Sequence, residues 1–402
     1  MDASLRVRLS ALMFLEFFVW GAWYVTLGTW LATSLHFSGQ QIGWTAGTTA
    51  VGAVISPLFA GLIADRFLPT QVFLALFHGL GALLLTLASY QTSFGAVYLA
   101  ILLYSLCYMP TLALANSLTF RQISNPKQQF GSIRVMGTIG WIVAGLIVGS
   151  THLEATSVPL RIAAGASALL ALYCLTLPHT PPLANPGEWR LSSVFPKDAL
   201  VLLKDRSMAV FAAASLLICI PLQFYYAFTN LFLNEVGVQG AAAKMTGGQM
   251  SELACMLLIP WFFRRWGVKY MLAAGMFAWV LRYVFFAFGD SSSLMWMFWI
   301  GILLHGICFD FFFVVGQIYI DEKAPPALRA ATQGLITQIT YGVGMLAGSW
   351  LSGGVVDAYA VPAGGHGWMQ IWLIAAAVAV VVLAMFLLLF RPTPAPYSEQ
   401  HP

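Results

Sequence analysis

HTPPLANPGEWR, running from His179 to Arg190, cannot lie inside a bilayer: it packs three prolines, Glu188 and Arg190 into twelve residues. It belongs to the longest polar interruption of the chain, roughly 179–207. A spanning helix needs about 20 predominantly apolar residues. On the N-terminal side, six runs meet that length: 9–33, 41–64, 70–90, 94–120, 132–150 and 158–178. On the C-terminal side there are six more: 208–233, 243–263, 268–288, 294–320, 330–357 and 368–390. Runs three and four are the least separated, with only Gln91 to Ser93 between them. The pattern predicts an all-α polytopic membrane protein of twelve helices. Residues 1–178 form one six-helix bundle and 208–402 the other, with 179–207 as a cytoplasmic linker.

Composition supports that reading. Of 402 residues, 59% are hydrophobic and only 8% are charged, whereas a soluble protein carries roughly 25% charged residues. The net charge of +4 is too small and dispersed for nucleic-acid binding. The five cysteines (Cys107, Cys174, Cys219, Cys255, Cys308) fall in apolar runs without metal-ligand spacing, so they read as small buried hydrophobes. Leu9 to Leu35 is too long for a signal-peptide core, and no small-residue cleavage site follows. No cofactor, metal site or catalytic residue is expected. The histidines have no acid paired on their face, and no zinc motif or phosphate-binding glycine loop is present.

Basic residues set the orientation. Fifteen of the nineteen lie at the termini or in alternate loops, among them Arg66, Arg121, Arg190, Arg264, Arg265, Lys323 and Arg329. The opposite loops hold only Arg161 and Lys244. Both termini are therefore expected in the cytoplasm.

The two halves are weakly alike at an offset near 200: LLYSLCYMP (Leu102 to Pro110) matches LLHGICFDF (Leu303 to Phe311). The loop GLIADRF from Gly61 corresponds in place to FFRRWGVKY from Phe262. Parallel six-helix halves are the internal symmetry of major facilitator transporters. Gly61 to Arg66 also resembles the signature loop of that superfamily, although Phe67-Leu-Pro replaces its usual continuation. On this reading Asp65 and Arg66 form a conformational latch; the alternative is an ordinary cytoplasmic turn.

Ionisable groups inside spans are costly and commonly functional. They are Glu16, Arg134, Glu252, Arg282 and Asp310, with His78 and His305. Helical spacing sorts them into faces. These are Glu16, Trp20 and Trp23; Arg134, Thr138 and Trp141; Gln223, Tyr226 and Asn230; Gln249 and Glu252; and Gly306, Asp310, Phe313 and Gln317 beside Phe309. Asp310 precedes Asp321 by eleven residues, a depth of about 16 Å at the helical rise. Glu252 precedes Arg264 by twelve, or about 18 Å. Gln223 is also central, while Glu16 and Arg134 are shallower. His78 and His305 read as packing residues. Arg282, near a span end, reads as a structural side chain that snorkels to the interface. Glu252 and Asp310, with Glu16, are the candidate proton carriers.

Six stretches resemble the nucleoside:proton symporter family, a branch of the major facilitator superfamily. They are YMPTLALANS (Tyr108 to Ser117), RVMGTIGW (Arg134 to Trp141), LTLPHTPP (Leu175 to Pro182), LRYVFFAFGD (Leu281 to Asp290), CFDFFF (Cys308 to Phe313) and RAATQGL (Arg329 to Leu335). The resemblance runs over nearly the whole chain. It implies the major facilitator fold and nucleoside import coupled to protons across the bacterial inner membrane, by a monomer. It also implies substrate contacts at Arg134, Thr138, Gln223, Gln249, Glu252, Phe309 and Asp310. Trp141 stands where the uridine-transporting pattern has phenylalanine, and Tyr226 where it has asparagine. From the residues alone, a proton-linked sugar or drug carrier fits the same aromatic and carboxylate groups.

Overall fold

A computed structural model describes residues 2–59, 67–182, 197–362 and 364–391. Asp65 and Arg66 lie outside the described residues. The fold is almost wholly helical, and the isolated bridge found among the described residues pairs Ala360 with His366. The first half contains α1 (Ala3–Gly21), α2 (Leu27–Thr33), α3 (Gly39–Phe59), α4 (Thr70–Tyr90), α5 (Phe94–Gln122), α6 (Pro126–Thr151) and α7 (Val158–Cys174). The second contains α8 (Arg206–Glu235), α9 (Ala241–Phe288), α10 (Met295–Lys323), α11 (Ala331–Ala358) and α12 (Trp368–Leu389).

Eight of these helices are long and apolar enough to cross a membrane by length and composition. The 48-residue α9 is about 72 Å long at the helical rise, more than twice the hydrocarbon thickness. It is two spans joined at Gly267, whose φ of 64° and ψ of 176° leave the helical region. A side chain would be strained there, so glycine marks the break. The gap read between 263 and 268 falls on that residue. At the other end of the chain, α1 and α2 together cover the first expected span, interrupted by the turn at 22–26. With α3 and the shorter α7, the architecture agrees with the twelve-span expectation.

The outer faces are those of a membrane protein. Leu76, Leu80, Leu83 and Leu87 on α4 are each about half exposed and fall at helical spacing on one stripe. In water such a stripe would be a large uncovered apolar patch; in lipid it is simply solvated.

The chain forms two compact units. One comprises Met1–Arg190 with Tyr226–Asn234 and Gln239–Thr246; the other comprises Leu191–Tyr225, Glu235–Val238 and Gly247–Pro402. Small residues set the packing within each. In the first, a Cβ on Gly140 of α6 would fall 2.1 Å from the Phe14 carbonyl oxygen of α1, and one on Gly52 of α3 2.6 Å from the Ser105 carbonyl oxygen of α5. Only glycine permits these backbone approaches. Thr48 and Ser105 hydrogen-bond across the second of them at 3.1 Å.

In the second unit, a Cβ on Gly306 would meet the Ser251 carbonyl oxygen at 2.5 Å, so α9 and α10 touch backbone to backbone. Arg282 corrects the sequence reading. It does not snorkel: it is fully buried, its Nε donates to the Gly301 carbonyl at 2.9 Å, and its guanidinium sits 4.0 Å from the Tyr225 ring centroid. A buried guanidinium needs such partners.

Ahead of α8, Asp205 accepts from the Met208 N–H at 3.0 Å and from the Ser207 hydroxyl, and pairs with Lys323 at 3.2 Å. Burial pulls its carboxyl upward, but Ser207, Met208 and Lys323 together outweigh burial and hold it below the usual value. Its stabilising contribution is therefore present above the unfolded-state value and lost as pH falls through the lower folded one.

Candidate functional site

In the second unit Asp310 stands apart. It is fully buried, and neither carboxylate oxygen has a hydrogen-bond partner among the described residues. It opens a π turn, Asp310–Val314, inside α10. Such turns insert an extra residue into the helix and are frequent at functional sites. A bare carboxylate removed from water must take up a proton or find a partner.

One turn earlier, His305 Nε2 lies 3.9 Å from Glu252 Oε2. The His305 ring stacks on Phe309 at 5.8 Å and on Tyr225 at 5.3 Å. Glu252, unlike Asp310, is partly open, with 17% of its side chain exposed. Gln249 sits one turn before it on the same face of α9 and is half-buried. Gln223 turns toward α11, donating to Ser349 Oγ at 2.8 Å and to the Met345 carbonyl at 3.3 Å. Its buried Oε1 is left without a partner among the described residues. Beyond the π turn, a small cavity is lined by Ser215, Phe313, Gln317, Thr337, Thr340 and Tyr341.

In the first unit, aromatic rings gather around α1 and α6. Trp20 meets Trp141 edge-on at 5.4 Å and Tyr24 at 5.7 Å, and Tyr24 meets Tyr226 at 5.9 Å. Arg134 places its guanidinium 4.0 Å from the centroid of Phe17. Gly137 makes room for that pair, since a Cβ there would lie 2.7 Å from the Phe17 ring and 2.8 Å from the guanidinium. Arg134, Thr138, Trp141 and Tyr226 are each half-buried, as an open face would require.

Glu16 behaves differently. It is fully buried; Oε1 accepts from Thr111 at 2.6 Å and Oε2 lies 3.0 Å from His78 Nε2. Tyr108 donates to its backbone carbonyl at 2.6 Å, and Ser167 donates to the His78 carbonyl at 2.8 Å. One cluster thus ties together α1, α4, α5 and α7.

A family model described as Nucleoside H+ symporter matches residues 3–395. The chain belongs to the nucleoside H+ symporter family. As a family member it is a multi-pass membrane transporter of the major facilitator fold and not an enzyme. It is 42% identical to the Escherichia coli protein YegT, over 96% of this chain and 93% of YegT. It is 34% identical to the xanthosine permease of Escherichia coli, over 99% of both chains. Among solved structures, a point mutant of the nucleoside transporter NupG superposes with a TM-score of 0.92 at 33% identity, covering 96% of this chain and all of that one.

Sequence reasoning missed three features of this symporter. His78 is not a lone packing histidine, since it partners Glu16. Trp20 bridges Trp141 and Tyr24, though its role in the ring cluster was not legible. Glu154, in the short connection between α6 and α7, is 3% exposed and carries three hydrogen bonds. The signal available for each was a polar residue within an apolar context, but no partner could be assigned from spacing along one helix.

Proposed function

We infer that this chain imports nucleosides together with protons across the bacterial inner membrane, by alternating access. It does so as a monomer with both termini in the cytoplasm. Family membership supports the nucleoside and the proton. The observation that carries the coupling is Asp310, a fully buried carboxylate with no partner among the described residues.

In this reading Asp310 enters the cycle protonated, because a buried carboxylate without a partner among the described residues needs a proton. The partly open Glu252 accepts hydrogen bonds from the substrate and shares the proton. Arg134, Thr138, Gln223 and Gln249 supply donors and acceptors for the ribose and the base edges. Phe309, Trp141 and Tyr226 offer ring faces for the base; such stacking is worth roughly 1–3 kcal/mol per base. The small cavity beyond the π turn, with Gln317, Thr337 and Thr340 among apolar side chains, is the proposed side for release of the Asp310 proton. The proposed scaffold is two six-helix bundles, 1–178 and 208–402, with Asp65 and Arg66 as a cytoplasmic latch. A bound ligand drives the cycle only by binding the two states unequally.

Ligand class is tested by thermal shift of the purified protein against nucleosides, hexoses and disaccharides, and cationic drugs. Nucleosides are expected to raise the unfolding temperature in proportion to log concentration, and sugars and drugs to leave it unchanged. Stabilisation by sugars alone would replace the nucleoside reading with a sugar carrier.

A further inference from the structure

The structure carries a second built polar site, one helical turn beyond Tyr226 and made of residues other than those assigned to substrate. Glu154 lies in the connection between α6 and α7 and is 3% exposed. Its Oε2 accepts from Asn230 Nδ2 at 2.8 Å and from Asn234 Nδ2 at 2.9 Å, and its Oε1 accepts the backbone N–H of Ala242 at 3.0 Å. Asn230, fully buried, uses its Oδ1 to accept from the Thr29 hydroxyl at 2.5 Å and from Asn234 at 3.2 Å. One carboxylate therefore holds the end of α8 and the start of α9. Through Asn230 it also reaches α2.

Three features make this more than a solvated loop acid. A carboxylate this buried is tolerated only with such donors. Its anion also sits at the N-terminus of α9, where backbone N–H groups are otherwise unpaired. Third, the surrounding seam is backbone on backbone: a Cβ on Gly28 would be 2.3 Å from the Ala227 carbonyl oxygen, and one on Gly149 2.3 Å from the Ala243 nitrogen. On Gly145 it would be 2.5 Å from the Thr246 methyl. These glycines make a tight seal, and the carboxylate fastens it.

The fastened segments, Tyr226–Asn234 and Gln239–Thr246, join the first compact unit, while the rest of α8 and α9 belongs to the second. Both helices thus run from one unit into the other. In an alternating-access cycle, the end carrying Glu154, which basic-residue distribution places outside, has to open.

We propose that Glu154 is the external latch of this transporter, holding α8 and α9 on the first half until the cycle releases them. The proposal rests on the alternating-access reading. Removing the carboxylate takes from Asn230, Asn234 and the Ala242 N–H their shared acceptor in the sealed state, whereas in the open one water can replace it. The equilibrium then shifts toward the externally open state. Substrate contacts are untouched, so the change appears as a population shift rather than a loss of binding groups.

The test uses the full chain in proteoliposomes, with the five native cysteines replaced and spin labels at Ser150→Cys and Gln239→Cys. Both positions are exposed and flank the seam. Pulsed electron–electron distance measurement is made on this parent and on Glu154→Ala and Asn234→Ala. The open-to-closed ratio should rise roughly tenfold in Glu154→Ala, the size expected for lost charge-assisted hydrogen bonds. It should rise less in Asn234→Ala, which keeps two of the three donors. If Glu154→Ala does not fold, Asn234→Ala decides alone. Distance distributions that superpose on the parent's in every folded variant overturn the latch. Nucleoside uptake by the parent is measured in the same vesicles. Its absence would sink the transport reading while leaving the latch result to stand or fall on the distances.

Discussion

Asp310→Asn is expected to abolish accumulation of nucleoside against its gradient while leaving exchange of internal for external nucleoside measurable. The amide has the size of the protonated acid and keeps its buried place, so the π turn at Asp310–Val314 should be retained. What it loses is the ability to deposit a proton. The buried carboxylate has no other compensation among the described residues, so each inward trip of the acid form is expected to carry a proton and each return of the empty carrier to release one. With asparagine the carrier is locked in a neutral form, and internal nucleoside rises only to the external level. Asp310→Asn and wild type should therefore equilibrate alike without a proton gradient and diverge when one is imposed. Wild-type accumulation by Asp310→Asn would remove Asp310 from the coupling and turn attention to Glu252.

Glu16→Ala is expected to be the most damaging single change to stability. It leaves His78, Thr111 and the cluster joining α1, α4, α5 and α7 without their shared acceptor. Breaking one side of a buried ionic or hydrogen-bonded pair costs about 3–5 kcal/mol, a large share of a marginal total. Glu16→Gln keeps the shape and one acceptor oxygen, so it should lose much less. Denaturant unfolding of the two variants in the same detergent checks the difference. Equal stability of Glu16→Ala and wild type would show that the cluster contributes nothing. The same Gln variant reports on coupling: retained gradient-driven uptake places the proton elsewhere, and loss of uptake in a stable protein assigns Glu16 a share of it.

Much of the scaffold was legible because hydropathy and loop chemistry are local. The break at Gly267 showed as a gap between two apolar runs. Asp310 and Glu252 stood out because any carboxylate deep in a span is costly. The π turn was not legible, since it depends on how α10 is packed rather than on the residues DFFFV alone. Partnerships across helices were also hidden. Spacing put Glu16, Trp20 and Trp23 on one face, but only packing sends Glu16 to His78 and Trp20 to Trp141. Arg282 was misread for a related reason: closeness to a span end suggested an escape to the interface, whereas Gly301 and Tyr225 supply its partners inside. Glu154 lies outside the spans that drew attention, and its three donors come from residues some 75–90 positions later.

The central claim is that a proton gradient drives nucleoside import through this chain. Uptake of labelled uridine and adenosine into proteoliposomes, with and without an inward proton gradient, tests it most directly. The account predicts that internal nucleoside exceeds the external concentration only when the gradient is present and falls back when a protonophore collapses it. Uptake of neither nucleoside, by protein shown to be folded in the same vesicles, or accumulation indifferent to the gradient, would contradict it.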